Sequence, residues 1–122
     1  MCGKWTDSDG FVHLFVDGEL QIRGDTTIHG VIPGTGKLIL GQDQDTFGGA
    51  FDREQSFVGE MSHLYLWNTD LEDSVIKSLS MHCKEYPHPG FILRWSDFST
   101  GINGNITKRD NSRCVTKQDV LL

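Results

Sequence analysis

The chain has no concentration of positive charge. Its 11 Lys and Arg are scattered among 17 Asp and Glu, the net charge is -6, and the largest basic cluster is the pair Lys108-Arg109. A phosphate-backbone partner demands a basic face, so no nucleic-acid partner is expected. Long apolar runs are also missing. The longest, FVHLFV at 11 to 16, falls far short of the ~20 residues that cross a bilayer, so no membrane span is expected. The opening MCGKWTDSDG lacks the apolar centre of a signal peptide, and Cys2 stands where myristoylation requires glycine. Cysteine is scarce: Cys2, Cys83 and Cys114, with no C-x-x-C spacing to suggest structural zinc. An odd count leaves a free thiol or a partner outside this chain.

What is present suits one domain. A chain of 122 residues buries roughly two-thirds of its unfolded surface, and 37% hydrophobic with 23% charged residues is ordinary for a globular protein. FVHLFVDGELQIRG (11 to 24) is a hairpin by its own chemistry: two alternating runs flank Asp17-Gly18, a type I′ turn pair. KLILG (37 to 41) reads as a short strand, and SFVGEMSHLYLWN (56 to 68) as a long one with apolar residues on both faces. NTDLEDSVIKSLSMH (68 to 82) predicts the one helix, with Thr69 and Glu72 at capping-box spacing and Leu71, Val75, Ile76 and Leu79 on one stripe. FILRW (91 to 95) reads as a strand, with weaker strand signals at 102 to 107. Many strands and one short helix point to an all-β sandwich.

The densest chemistry lies in LGQDQDTFGGAFDREQSFVGE, residues 40 to 60, with five carboxylates, three glutamines and Arg53 as the only positive neighbour. Like charges at that density repel, and an ordered loop this long is usually functional. Calcium takes six to eight oxygens, and Asp43, Asp45, Asp52, Gln55 and backbone carbonyls supply them without nitrogen or sulfur competitors. Gly48 and Gly49 let the stretch fold back on itself. Counted as an EF-hand from Asp43, the loop has Gly48 and Glu54 in place, but Phe47 occupies a ligand position and the flanks read as strands. A solvated acidic loop is the plainer alternative.

ILGQDQDTFGGAFDREQSFVGEMSHLYLW resembles the calcium-binding stretch of pentraxins, ILGQEQDxxGGxFxxxQSxVGxxxxxxxW. CGKWTDSDGFVHLFVDGEL resembles that family's C-x-x-W segment and following hairpin, and GFILRWSDF its last strands. The resemblance implies an antiparallel, concanavalin/laminin-G-like β-sandwich (jelly roll). Residues 1 to 122 are then the C-terminal portion of a pentraxin domain, its N-terminal strands lying outside this chain. It further implies two calcium ions. Asp43 and Asp45 would bridge both, Gln44 would give its backbone carbonyl to the first, and Asp52 and Gln55 would complete the second. Asp43 stands where many members have the longer Glu. Cys2 resembles one half of the family's inter-strand disulfide. Cys83 and Cys114 sit where long pentraxins, including the neuronal ones, pair two further cysteines.

The resemblance implies an extracellular, non-enzymatic recognition module. It would bind anionic, phosphate-bearing or carbohydrate ligands through calcium and assemble as a homo-oligomer, the family's pentamer. The alternative is a structural or adhesion module of a multidomain or receptor ectodomain, in which calcium only stabilises the fold. Three smaller signals remain. Arg23-Gly24-Asp25 is an integrin-type tripeptide of low specificity. Asn105-Ile106-Thr107 is an N-glycosylation acceptor, unless a strand turns Asn105 inward. His82 beside Cys83 lacks the orienting partner of a thiol catalytic pair. Trp5, Trp67 and Trp95 read as core residues. A Cys83–Cys114 disulfide leaves one free thiol, so titration of the oxidised, unfolded chain should count one; a count of three excludes the pairing.

Overall fold

The computed structural model describes residues 1–26, 29–82 and 89–109. The chain divides into two compact units, residues 30–61 and the remainder on either side. In the larger unit, β1 (Cys2–Trp5), β2 (Phe11–Val16) and β3 (Glu19–Asp25) form an antiparallel sheet in that order. The short strands β4 (Leu66–Trp67) and β5 (Phe91–Leu93) pair antiparallel, and the helix α1 (Asp73–Met81) lies between them in the chain. Antiparallel strands with one short helix are the all-β class expected.

The hairpin follows from its turn. Asp17 and Gly18 have φ of 52° and 80°, the doubly left-handed backbone of a type I′ turn whose twist matches the flanking strands. The ladder pairs Leu14 with Ile22 and then Phe15 with Leu20, so Gln21 is an extra residue and β3 bulges there. The β1–β2 connection is held by Asp9, whose Oδ1 accepts hydrogen bonds from the Phe11 backbone N at 3.0 Å and from the Thr6 hydroxyl. Local pattern did not mark β1 as a strand; it is ordered by its register with β2, from Cys2 opposite Phe15 to Trp5 opposite Val12.

Phe15, Leu71 and Ile76 are 2%, 4% and 3% exposed and form the core, with Cys2, Trp67 and Leu79 packed against it. Burial desolvates the Cys2 thiol and raises its pKa, outweighing the lowering by the N-terminal and Lys4 charges. Beside the core, Tyr65, Trp67 and Phe91 bring their ring centroids within 5.4–5.8 Å of one another. The stripe expected for the helix is thus recovered, but its start is later. Glu72 is the N-cap residue and makes no side-chain capping hydrogen bond, so the Thr69/Glu72 box does not form. The N-terminal end of α1 is tied instead by Lys4, whose Nζ lies 3.2 Å from Asp70 Oδ1 and 2.8 Å from Asp73 Oδ1. Desolvation works against the Lys4 charge, but the hydrogen bonds to Asp73 and Asp70 outweigh it and raise the pKa. Lys77 Nζ meets Glu19 Oε1 at 2.6 Å, joining the helix to the start of β3.

The strand expected over 56 to 68 is confined to Leu66–Trp67. His63 interrupts it with a left-handed φ of 54°, and residues 56 to 65 pair with no strand among the described residues. Phe57, Val58 and Met61 are accordingly exposed. Residues 37 to 41 and 102 to 107 are likewise not strands. A strand is a pairwise object, and alternation alone does not make one without a neighbour.

The seat of α1 on the hairpin turn is tight. A Cβ on Gly18 would run into the Ser80 hydroxyl and come within 3.0 Å of Lys77 Cα, on a backbone that already disfavours L side chains. Gly18→Ala should destabilise the fold by at least about 1–2 kcal/mol from the backbone alone, whereas Gly3→Ala, which meets nothing within 4 Å, should be neutral. Urea denaturation checks this; equal midpoints for the two variants would exclude such a seat.

Candidate functional site

The acidic stretch lies within the unit of residues 30–61. Its two limbs rise from a common base, where the Phe57 backbone N donates to Gly41 O at 2.9 Å and Gln42 Nε2 donates to Ser56 Oγ at 2.6 Å. Thr46 and Gly49 close the tip as a bridge, with Gly48 at φ 70° between them. A left-handed residue at the third turn position is what a type II turn requires. Lys37 fills the space a side chain on residue 48 would need: a Cβ there would lie 2.7 Å from Lys37 Cδ. The Lys37 ammonium sits 5.0 Å from the centre of the Phe47 ring.

Each predicted ligand has a distinct setting. Asp43 is exposed and its Oδ1 accepts from the Gln44 backbone N at 2.8 Å. Gln44 spends both ends of its side chain on the loop: Nε2 donates to Lys37 O at 3.0 Å, and Oε1 accepts from Gly48 N at 2.9 Å. Only its backbone carbonyl is left for any further role of the kind expected. Asp45 is exposed. Asp52 caps the 3₁₀ turn Arg53–Gln55, accepting from Glu54 N at 2.9 Å, and thereby sets the position of Gln55.

The two limbs therefore fold back as the glycines suggested. Among the described residues, however, no three Asp, Glu, His or Cys side chains are gathered as a metal-holding group. The donor set is oxygen-only, as a hard cation requires. One buried atom supports that fit. Gln42 Oε1 is buried with no hydrogen-bond partner among the described residues, although an unpaired buried carbonyl is costly. Sequence reading passed over Gln42, since only its bond to Ser56 and its unpartnered Oε1, both products of the fold, distinguish it from the other two glutamines. The EF-hand alternative fails on structure as well: no α-helix flanks the loop, which is preceded by irregular chain and runs into a 3₁₀ turn at its end.

The remaining sites are placed as follows. Arg23-Gly24-Asp25 is the end of β3 rather than a loop tip, and the Arg23 guanidinium lies 4.4 Å from the centre of the Phe11 ring. Asn105 is exposed. Cys83 and Cys114 lie outside the described residues. Among the described residues no helix is long and apolar enough to cross a membrane.

The family model described as "Pentaxin family" matches residues 1–110. The chain belongs to the pentaxin family. Among its relatives are the Rattus norvegicus "Sushi, von Willebrand factor type A, EGF and pentraxin domain-containing protein 1", 41% identical over 109 residues, Homo sapiens neuronal pentraxin-2, 38% identical over 116, and Sus scrofa serum amyloid P-component, 33% identical over 106. These alignments cover 88%, 93% and 87% of this chain but only 3%, 26% and 46% of the respective relatives. The chain thus spans less than half the length of these relatives. No solved structure matches it significantly.

Gln44 clamps the tip of the pentaxin loop through Lys37 and Gly48. Gln44→Ala removes both clamps, each worth about 1 kcal/mol, and should speed amide exchange at Gly48 several-fold. Exchange at Gly48 measured by NMR checks this; an unchanged rate means the clamp does not hold the loop.

Proposed function

We propose that this pentaxin chain is a calcium-dependent recognition module of an extracellular protein. The observation that carries the reading is the oxygen-only loop of residues 42 to 55, closed at its base and tip and retaining a buried Gln42 Oε1 that has no partner among the described residues. Asp43 and Asp45 would hold the cations between them, Gln44 would contribute its backbone carbonyl, and Asp52 with Gln55 would complete a second position. Asp43 is shorter by one methylene than the Glu of many relatives, so it would depend more on the loop for its reach. Bound calcium would supply open coordination positions for the phosphate, carboxylate or sugar oxygens of a ligand. The chain's own part would be to supply its Asp and Gln oxygens from the two limbs of a folded-back loop.

The same reading takes residues 1 to 122 as the C-terminal portion of a pentaxin domain within a larger, homo-oligomeric protein. Supporting it is the apolar surface that these residues leave uncovered: Leu20 and Ile22 on β3, Phe47, Phe51, Phe57 and Val58 in the loop unit. Further strands would cover those residues. A second reading, an adhesion or spacer module in which calcium only stabilises the fold, draws on one observation: the chain matches 3% of a large multidomain relative. Retention of the chain on phosphate- or glycan-bearing resin in calcium, and its release by EDTA, separates the two.

The ligand assignment is tested within the loop. Asp45→Ala should weaken calcium binding on the order of tenfold or more, because carboxylate count sets affinity. Glu54→Ala should change it little, since that carboxylate has no assigned role. Calorimetry on the two variants decides, and equal losses would remove the assignment.

A further inference from the structure

The sequence contains one N-x-Ser/Thr tripeptide, Asn105-Ile106-Thr107; the other asparagines, Asn68, Asn103 and Asn111, lack Ser or Thr two residues on. An acceptor tripeptide is usable only where the chain is exposed and free to bend into a transferase. Sequence alone allowed a strand burying Asn105, and the structure removes that option. Residues 101 to 109 belong to no strand or helix, and each of them is exposed. Gly101 and Gly104 have left-handed φ of 75° and 87°, and Ile106 N donates to Gly104 O at 3.1 Å. That bond closes a three-residue turn with Asn105 at its apex. The neighbouring Asn103 is tied down, its Nδ2 donating to Gly101 O at 3.1 Å, whereas among the described residues the Asn105 amide is engaged by nothing.

We propose that Asn105 is an N-glycosylation site. A bond forms between Asn105 Nδ2 and the anomeric carbon of an oligosaccharide carried on a lipid pyrophosphate. The anomeric C–O bond to that pyrophosphate breaks, the lipid pyrophosphate leaves with its electron pair, and one Nδ2 proton passes to a base of the transferase. The Thr107 hydroxyl is the second recognition element. In the native protein the modification rests on the extracellular reading, since the donor is confined to the secretory lumen. Its physical consequence is local: the glycan would stand over Ile102 and Ile106, which are 38% and 61% exposed, and keep that surface from docking.

The test supplies entry to the secretory pathway, so its outcome does not depend on the calcium reading or on the native location. The 122-residue chain is produced in eukaryotic cells behind a cleavable secretion signal, and signal removal is verified by N-terminal sequencing. Peptide-N-glycosidase should lower its mass by one glycan and convert Asn105 to aspartate. Asn105→Gln and Thr107→Ala should abolish the glycan, while Thr107→Ser should retain it. Should the chain be held in the cell, endoglycosidase H reads the same transfer on the retained pool. A signal-cleaved chain whose Asn105 is unmodified overturns the proposal.

Discussion

The larger unit depends on burying Phe15 against Leu71 and Ile76. Phe15 lies near the end of β2, beyond the bulge at Gln21. Leu71 approaches from the segment just ahead of α1, and Ile76 from its first turn. Each such side chain contributes about 1.5–3 kcal/mol on leaving water, and no other hydrophobic residue among those described is as deeply buried. Polar contacts then fix where α1 can lie: Lys4 engages Asp70 and Asp73 near one end, and Lys77 engages Glu19 near the other. Glu19, Lys77 and their surroundings are largely exposed, so that pair adds orientation more than stability.

How much of this was legible in the sequence follows from how local each interaction is. The β2–β3 hairpin was readable because Asp17-Gly18 carries its turn in two residues. The apolar stripe of α1 was readable because helical spacing is intrinsic to the chain. The capping box was not, because Thr69 and Glu72 satisfy its spacing while the helix begins one residue beyond Glu72. The strand expected over 56 to 68 needed a neighbour that alternation does not supply. β1 shows the converse, four residues with little pattern of their own ordered by β2.

The candidate site divides in the same way. Its candidate donors, Asp43, Gln44, Asp45, Asp52 and Gln55, are named by composition and by the family pattern, both of which can be read along the chain. The scaffold that holds them cannot. Gln42 and Gln44 look alike on paper, yet one reaches Ser56 across the base and the other clamps Lys37 and Gly48. Amide side chains can donate and accept at once, so their role depends on which backbone groups the fold leaves unpaired. The left-handed Ala50, at φ 57°, belongs to that hidden scaffold, because only the folded-back loop demands such a backbone there.

Cys2 carries a consequence for the order of events during maturation. Its thiol sits opposite Phe15 in the β1–β2 ladder and against the core, in surroundings that disfavour the thiolate. Disulfide exchange proceeds through the thiolate and needs an approach path. Both are most available while β1 is still unpaired, and both diminish as the ladder zips. Covalent capture of Cys2 by another cysteine is therefore favoured before the β1–β2 ladder closes, while this half-buried sulfur is still fully accessible.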